Sequence, residues 1–359
     1  MKVCVFGTRG FPGIQGGVEK HCESLYPNMP QDICFDVCRR KSFVTDSKKY
    51  PNINFVDIKN TEKRGLEATF HSFISSIYAI KTKPDVVHIH NIGPAMFAPI
   101  LKLFGQKVVL TYHSANYEHK KWSKPEKLVL KMCEHFALKY SDRVIFVNKE
   151  QMGKYPSKII AKSCYIPNGV NPPTDTEDTS FLEENHLQKQ KYILSVGRIT
   201  PEKGFDTLIK AFYKSGLNNE YKLAIVGGVE FEDSYKKELD SLVTDDSVVF
   251  TGFADGERLA QLYKNARLYV LASNNEGFPL VMLEAMSYGL NLLASDISAT
   301  RMIDLGKGAY FPAGDYNTLA EKMKKAVNLD YTEVKYDLSQ YNWISIANKV
   351  ASIYRELKN

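Results

Sequence analysis

Leu268-Tyr-Val-Leu-Ala-Ser273, followed closely by Glu276-Gly-Phe-Pro-Leu-Val-Met-Leu-Glu284, is the stretch from which the fold of this chain is read. The first run is apolar throughout and predicts a buried strand. The second predicts a helix, with Pro279 near its first turn, where a missing N–H costs nothing. Glu276 then falls on the strand-to-helix turn and Glu284 about two turns inside the helix. A helix start with unpaired amides after Gly277 is a ready anion site. A carboxylate on the turn and a second one deeper could hold hydroxyls on either side of a bound phosphate, as a sugar–diphosphate–ribose ligand requires. Two solvated acids are the plainer reading, and the Gly277-Phe278-Pro279 turn with its apolar flanks weighs against it.

The same alternation of strand and helix runs along the whole chain. Strand-like runs are Val3–Phe6, Phe35–Cys38, Val86–His90, Val108–Tyr112 and Val144–Val147 in the first half. Tyr192–Val196, Lys222–Val226, Val248–Thr251 and Leu268–Ala272 follow in the second. Continuous β-branched runs imply strands buried on both faces of a parallel sheet, and the repeated alternation predicts α/β with two doubly wound sheets. A turn-prone linker, Ile166-Pro-Asn-Gly-Val-Asn-Pro-Pro-Thr-Asp-Thr-Glu-Asp178, sets the expected domains at 1–168 and 169–338.

At 359 residues, 44% hydrophobic and 25% charged, the chain has room for two ordinary cores. No run approaches the ~20 apolar residues of a membrane span. Met1-Lys2 leads directly into a strand with no secretory pattern, so a cytoplasmic protein is expected. Six cysteines lie in the first half without metal-ligand spacing and read as free thiols. Residues 1–170 hold 26 Lys+Arg and 14 Asp+Glu, a net +12, whereas residues 171–359 hold 21 and 27, a net −6. A basic first half suggests an anionic partner; with no recognition-helix or aromatic-strand signature for nucleic acid, an anionic membrane surface or lipid-linked phosphate fits better.

The paired Glu276 and Glu284 around Gly277-Phe278-Pro279, together with Ser195-Val-Gly-Arg198-Ile-Thr-Pro-Glu-Lys203-Gly204, resemble the retaining nucleotide-sugar glycosyltransferases of family 4. The resemblance implies the GT-B fold, two Rossmann-like domains facing a central cleft, with a helix over 339–359 crossing back onto the first domain. It also implies transfer from a nucleoside-diphosphate sugar, with no further cofactor, to a hydroxyl of a growing bacterial glycan. The family picture is same-face attack, the leaving phosphate accepting the acceptor's proton.

Carried over residue by residue, Arg198 and Lys203 would neutralise the diphosphate leaving group. Glu276 would hold sugar hydroxyls and Glu284 the ribose. Gly277, Phe278, Pro279 and Leu280 would form the phosphate turn, and Phe253 would read the nucleobase through its backbone. His113, ending the strand Val108–Tyr112, sits like the family histidine that faces the donor sugar. In the first loop, Gly7, Gly10 and Gly13 make a poor dinucleotide fingerprint, and Gly16-Gly17 just before the helix is the better diphosphate cradle. His88, His90 and Asn91 end a strand on the acceptor side. The segment Tyr117–Lys124 is similar to one in bacterial polysaccharide rhamnosyltransferases, although those more often read Asp-Gly-Leu-Glu where this chain has His113-Ser-Ala-Asn-Tyr-Glu118. No Asp-x-Asp metal motif is present, so no metal is expected. Lys120, Lys121, Lys124, Lys127 and Lys131, with Trp122, Leu128 and Leu130, suit a membrane-facing helix. A sugar-nucleotide epimerase of the same fold, or a non-catalytic sugar-nucleotide-binding protein, remains the alternative.

Overall fold

The computed structural model describes residues 1–44, 48–59, 61, 66–115, 117, 123–229, 234–329 and 334–358. The chain divides into two compact units, Met1–Gly169 with Gln340–Asn359, and Val170–Ser339.

In the first unit, strands β1 (Lys2–Phe6), β2 (Cys34–Arg40), β3 (Ile53–Ile58), β4 (Val86–His90), β5 (Val108–Tyr112), β6 (Arg143–Phe146) and β7 (Ser163–Tyr165) form one sheet. It is parallel throughout, in the order β3-β2-β1-β4-β5-β6-β7. The chain starts in the middle and winds outward in both directions, which makes the β1/β4 edge its switch point. β4 and β5 are buried at every position, as the unbroken Val/Ile/Leu runs require of strands covered on both faces. The helix Trp343–Lys358 belongs to this unit and packs on the helix Gly17–Leu25 and on β4. Its Tyr354 hydroxyl meets His88 Nδ1 at 2.5 Å.

In the second unit, β8 (Tyr192–Val196), β9 (Lys222–Val226), β10 (Val248–Gly252), β11 (Leu268–Leu271), β12 (Leu292–Ser295) and β13 (Tyr310–Phe311) form a second parallel sheet. Its order is β10-β9-β8-β11-β12-β13. The helix Phe205–Ser215 drives Phe205, Leu208, Ile209 and Phe212 into the core beside Ile193, Leu223 and Val270. The sequence reading thus holds for two doubly wound sheets. It lacks β3, β7, β12 and β13. Three of these are edge strands; β3 mixes buried and exposed positions, and β13 has only two residues, so none makes a long apolar run.

Candidate active site

β8 and β11 are adjacent parallel strands, and β9 and β12 lead away from them on opposite sides. Loops leaving their carboxyl ends therefore part at the switch point and open a crevice between them. Arg198 and Lys203 lie on the loop after β8, Glu276 on the loop after β11, and Glu284 in the helix Leu280–Ser287.

The two loops are tied together. Lys203 Nζ meets Glu276 Oε1 at 2.6 Å, with side chains only 16% and 11% exposed. Ser273 Oγ donates to the same carboxylate oxygen at 2.7 Å, and Ser295 Oγ donates in turn to the Ser273 carbonyl at 2.5 Å. The Asn274 amide donates to the Glu202 carbonyl at 2.8 Å. Gly204 closes this arrangement in the left-handed region (φ +65°), where a Cβ would lie 2.2 Å from the Ala272 carbonyl oxygen. Only glycine allows that approach, and it sets Lys203 against Glu276.

Glu284 is held separately. Tyr263, buried, donates its hydroxyl to Glu284 Oε2 at 3.0 Å and stacks on Tyr288 with ring centroids 5.4 Å apart. Burial pushes the Tyr263 hydroxyl well above its ordinary pKa, and the Glu284 charge adds to this, so it stays a proton donor. The hydroxyl of buried Tyr269 on β11 is likewise raised by burial and then by the fields of both Glu284 and Glu276. The two acids thus bear on one tyrosine from the turn and from the helix.

Three details differ from the sequence reading. The helix opens at Leu280, so Glu284 lies about one turn inside it, not two. The Leu280 amide donates to the Phe278 carbonyl at 3.0 Å, so this amide already has a partner in the turn. The helix of the first unit begins at Gly17 itself. Phe278 and Pro279 are buried, Gly277 is partly so, and Phe253 stands exposed just after β10.

Gly16, Gly17 and His113 belong to the first unit. At Gly16 (φ +150°) a Cβ would fall 2.1 Å from Glu19 Oε2. Glu19 Oε1 accepts the Arg9 amide at 3.0 Å, so a carboxylate of the chain itself lies over this helix start. His113 is buried beside β4. Its Nε2 lies 3.0 Å from His90 Nδ1, and its ring packs edge-on to His21 at 4.8 Å. His90 Nε2 meets Tyr26 Oη at 2.6 Å, Tyr26 Oη meets His88 Nδ1 at 3.0 Å, and His88 Nε2 meets Thr111 Oγ1 at 2.7 Å. His21 Nδ1 meets Asn168 Oδ1 at 2.7 Å, while its buried Nε2 has no hydrogen-bond partner among the described residues. Burial lowers every one of these imidazoles, His21 to about 4 and His88 to about 3, so they are neutral near pH 7. Ring nitrogens of His21, His90 and His113 come within 4.8 Å of one another, a grouping of metal-site size. The 3.0 Å contact between His90 and His113 is a hydrogen-bond distance, so these two neutral rings are read as a hydrogen-bonded pair with His21 packed edge-on against them. Asn91 Nδ2 donates to the Gly7 carbonyl at 3.2 Å.

Ser273, Tyr263, His21 and Tyr26 escape the sequence reading. Ser273 carries a local signal, a hydroxyl three residues before a carboxylate. The others act through contacts 21 to 147 positions away, to which no local pattern points.

Two doubly wound parallel sheets in one chain, the second with a cation–carboxylate pair at its switch point, define the GT-B type of α/β protein. The chain matches the family model "Glycosyltransferase Family 4" over residues 15–173 and "Glycosyl transferases group 1" over residues 177–343. It is a glycosyltransferase of group 1 and family 4. It is 26% identical to an uncharacterized glycosyltransferase of Methanocaldococcus jannaschii, over 99% of this chain and 98% of that one. It is 24% identical to the amylovoran biosynthesis glycosyltransferase AmsD of Erwinia amylovora, over 69% and 68%. Among solved structures, sucrose-phosphate synthase from Thermosynechococcus elongatus superposes with a TM-score of 0.78 at 21% identity, over 99% and 98%. HepE of Anabaena, in complex with UDP, superposes at 0.75 and 17% identity, over 99% and 100%. At these identities the structures show the shared fold.

Proposed function

We propose that this glycosyltransferase is a retaining enzyme that takes a sugar from a nucleoside-diphosphate donor and joins it to a hydroxyl of a growing, lipid-linked bacterial surface glycan. The observation that carries the reading is the Lys203–Glu276 pair at 2.6 Å on the carboxyl ends of β8 and β11, with Glu284 held by Tyr263 in the next helix. The second unit is the donor side. Glu284 holds the ribose hydroxyls, the exposed Phe253 segment reads the base, and Lys203 with Arg198 takes the diphosphate as its charge develops. When the donor enters, Lys203 turns from Glu276 to phosphate, and the freed carboxylate accepts the sugar hydroxyls. The reaction needs no metal on this reading, because fixed cations do the charge stabilisation.

The first unit is the acceptor side, with His113 and the Gly16-Gly17 turn on its loops. A hexose or rhamnose fits the donor pattern. A polysaccharide acceptor draws support from the amylovoran relative, and a nucleoside-diphosphate donor from the UDP complex of HepE. The enzyme works in the cytoplasm at the inner leaflet. Calorimetric titration with nucleoside diphosphates and sugar nucleotides tests the donor site, and NMR of the product's anomeric proton tests retention. No binding of any nucleotide, or inversion at the anomeric carbon, overturns the corresponding part.

A further inference from the structure

The helix Lys124–Tyr140 has two apolar faces. Cys133, Ala137 and Leu138 turn inward, small or short enough to lie close to the sheet. Leu128, Val129, Met132 and Phe136 turn outward, at spacings that make one continuous stripe. Leu128 is 62% exposed and Met132 53%. The short helix Ala98–Leu103 packs alongside and ends in Leu103, 82% exposed, and Phe104, 58% exposed. Lys102 binds Asp142 at 2.7 Å and so ties this end to the end of the longer helix. Single exposed apolar side chains need no account, but a stripe of four on one helix, with two more at the end of a helix packed against it, marks a contact surface.

Charge decides the occupant. Lys124, Lys127, Lys131 and Lys139 lie on the same helix. Its two acids are engaged elsewhere: Glu126 caps the helix start at Ser123, and Glu134 turns inward to the Tyr112 and Tyr155 hydroxyls. What faces outward is therefore apolar with a net positive charge, four lysines against the exposed Glu126 at the helix start. A second copy of the chain in a two-fold contact would set this lysine row against itself. An anionic lipid surface accepts both, acyl chains for the stripe and headgroups for the lysines. Lys120, Lys121 and Trp122, part of the surface expected from sequence, lie outside the described residues.

We infer that the first unit docks on an anionic bilayer through the outer side of the helix Lys124–Tyr140 and the adjoining Leu103-Phe104. This rests on the reading of a lipid-linked acceptor and names the surface that would bring the enzyme to it.

The test is flotation of the full chain with vesicles of phosphatidylcholine alone and with rising phosphatidylglycerol. Partitioning is expected to rise with phosphatidylglycerol and fall with salt. L128S/M132S should weaken it at least about tenfold. K124E/K127E/K131E should weaken it at least about a hundredfold, since each lysine near such a surface is worth about fivefold and the reversal adds repulsion. All the substituted residues are wholly or partly exposed, so the variants should fold, and a circular dichroism melt checks this. Partitioning that is absent, equal on neutral vesicles or unchanged in both variants overturns the inference. So does concentration-dependent dimerisation, seen by sedimentation, that the apolar variant abolishes. UDP binding measured in solution on the same samples separates the two proposals. Intact UDP binding without flotation sinks only the docking surface, and flotation without nucleotide binding sinks only the donor-site reading.

Discussion

Breaking the Lys203–Glu276 pair separates its structural role from its chemical one. Lys203→Ala leaves the Glu276 carboxylate, 11% exposed, with Ser273 as its remaining hydrogen-bond donor among those described above. Removing one partner of a well-buried pair costs about 3 kcal/mol, because the other charge stays desolvated. The second unit, Val170–Ser339, has a size at which 1 kcal/mol moves the midpoint by about 2–4 °C, so its Tm should fall by roughly 6–12 °C. Glu276→Gln should cost a comparable amount by stranding the ammonium. Lys203→Met with Glu276→Gln removes both charges and should return to within about 1 kcal/mol of the parent, a coupling of several kcal/mol. Turnover should not return with it. Loss of charge stabilisation on a leaving diphosphate lowers kcat about 100- to 1,000-fold, and the double variant should stay that low. The assay is a thermal melt for each member of the cycle beside initial rates of donor turnover. Additive stabilities with near-parental kcat would refute both the pair and its proposed role.

Glu284→Gln should weaken nucleoside diphosphate and sugar nucleotide alike, whereas Glu276→Gln should weaken only the sugar-bearing donor; equal losses in calorimetry would mean the roles are misassigned. Tyr263→Phe should act like a mild Glu284 variant, weakening nucleotide binding about tenfold, and unchanged binding would show that the hydroxyl does not position the carboxylate. Stability should fall as the pH drops from about 6.5 towards 4: burial holds the folded pKa of His21, and of His71 in the helix Glu67–Thr82, near 4 and that of His88 near 3, so the unfolded chain takes up protons first, at about 3 kcal/mol for His21 alone. A urea midpoint that stays flat across that window would contradict it. Activity with a chelator should stay within about twofold of that with magnesium, and loss restored only by a specific metal would reassign His21, His90 and His113 as ligands.

The fold was legible because its central strands are unbroken apolar runs, and Tyr192–Val196 and Leu268–Leu271 are buried at every position. The edge strands β3, β7 and β13 were not, and Ile53–Ile58 for one carries Asn54 and Asp57 between its apolar residues. In the second unit, Arg198, Lys203, Glu276 and Glu284 could be named because each sits on a strand-end loop or the helix that follows, and their local spacing gives their place. What fixes them could not. The Gly204 approach to the Ala272 carbonyl and the Tyr263 hydroxyl on Glu284 join positions 68 and 21 residues apart, and periodicity says nothing about such pairs. For His113 the strand end was legible but not its surroundings, since His90 and His21 reach it from two other elements and bury it.

The helix Trp343–Lys358 bears on how the molecule is made. Tyr354 closes onto His88, Trp343 packs on His21, and Arg355 binds Asp32 at 2.9 Å, so the core of the first unit needs residues from the far end of the chain. On the ribosome the first 169 residues emerge without these partners, while Val170–Ser339 emerges as an uninterrupted stretch. The second unit can therefore finish folding first. The first completes its core only when Trp343 and Tyr354 are available to pack on His21 and His88.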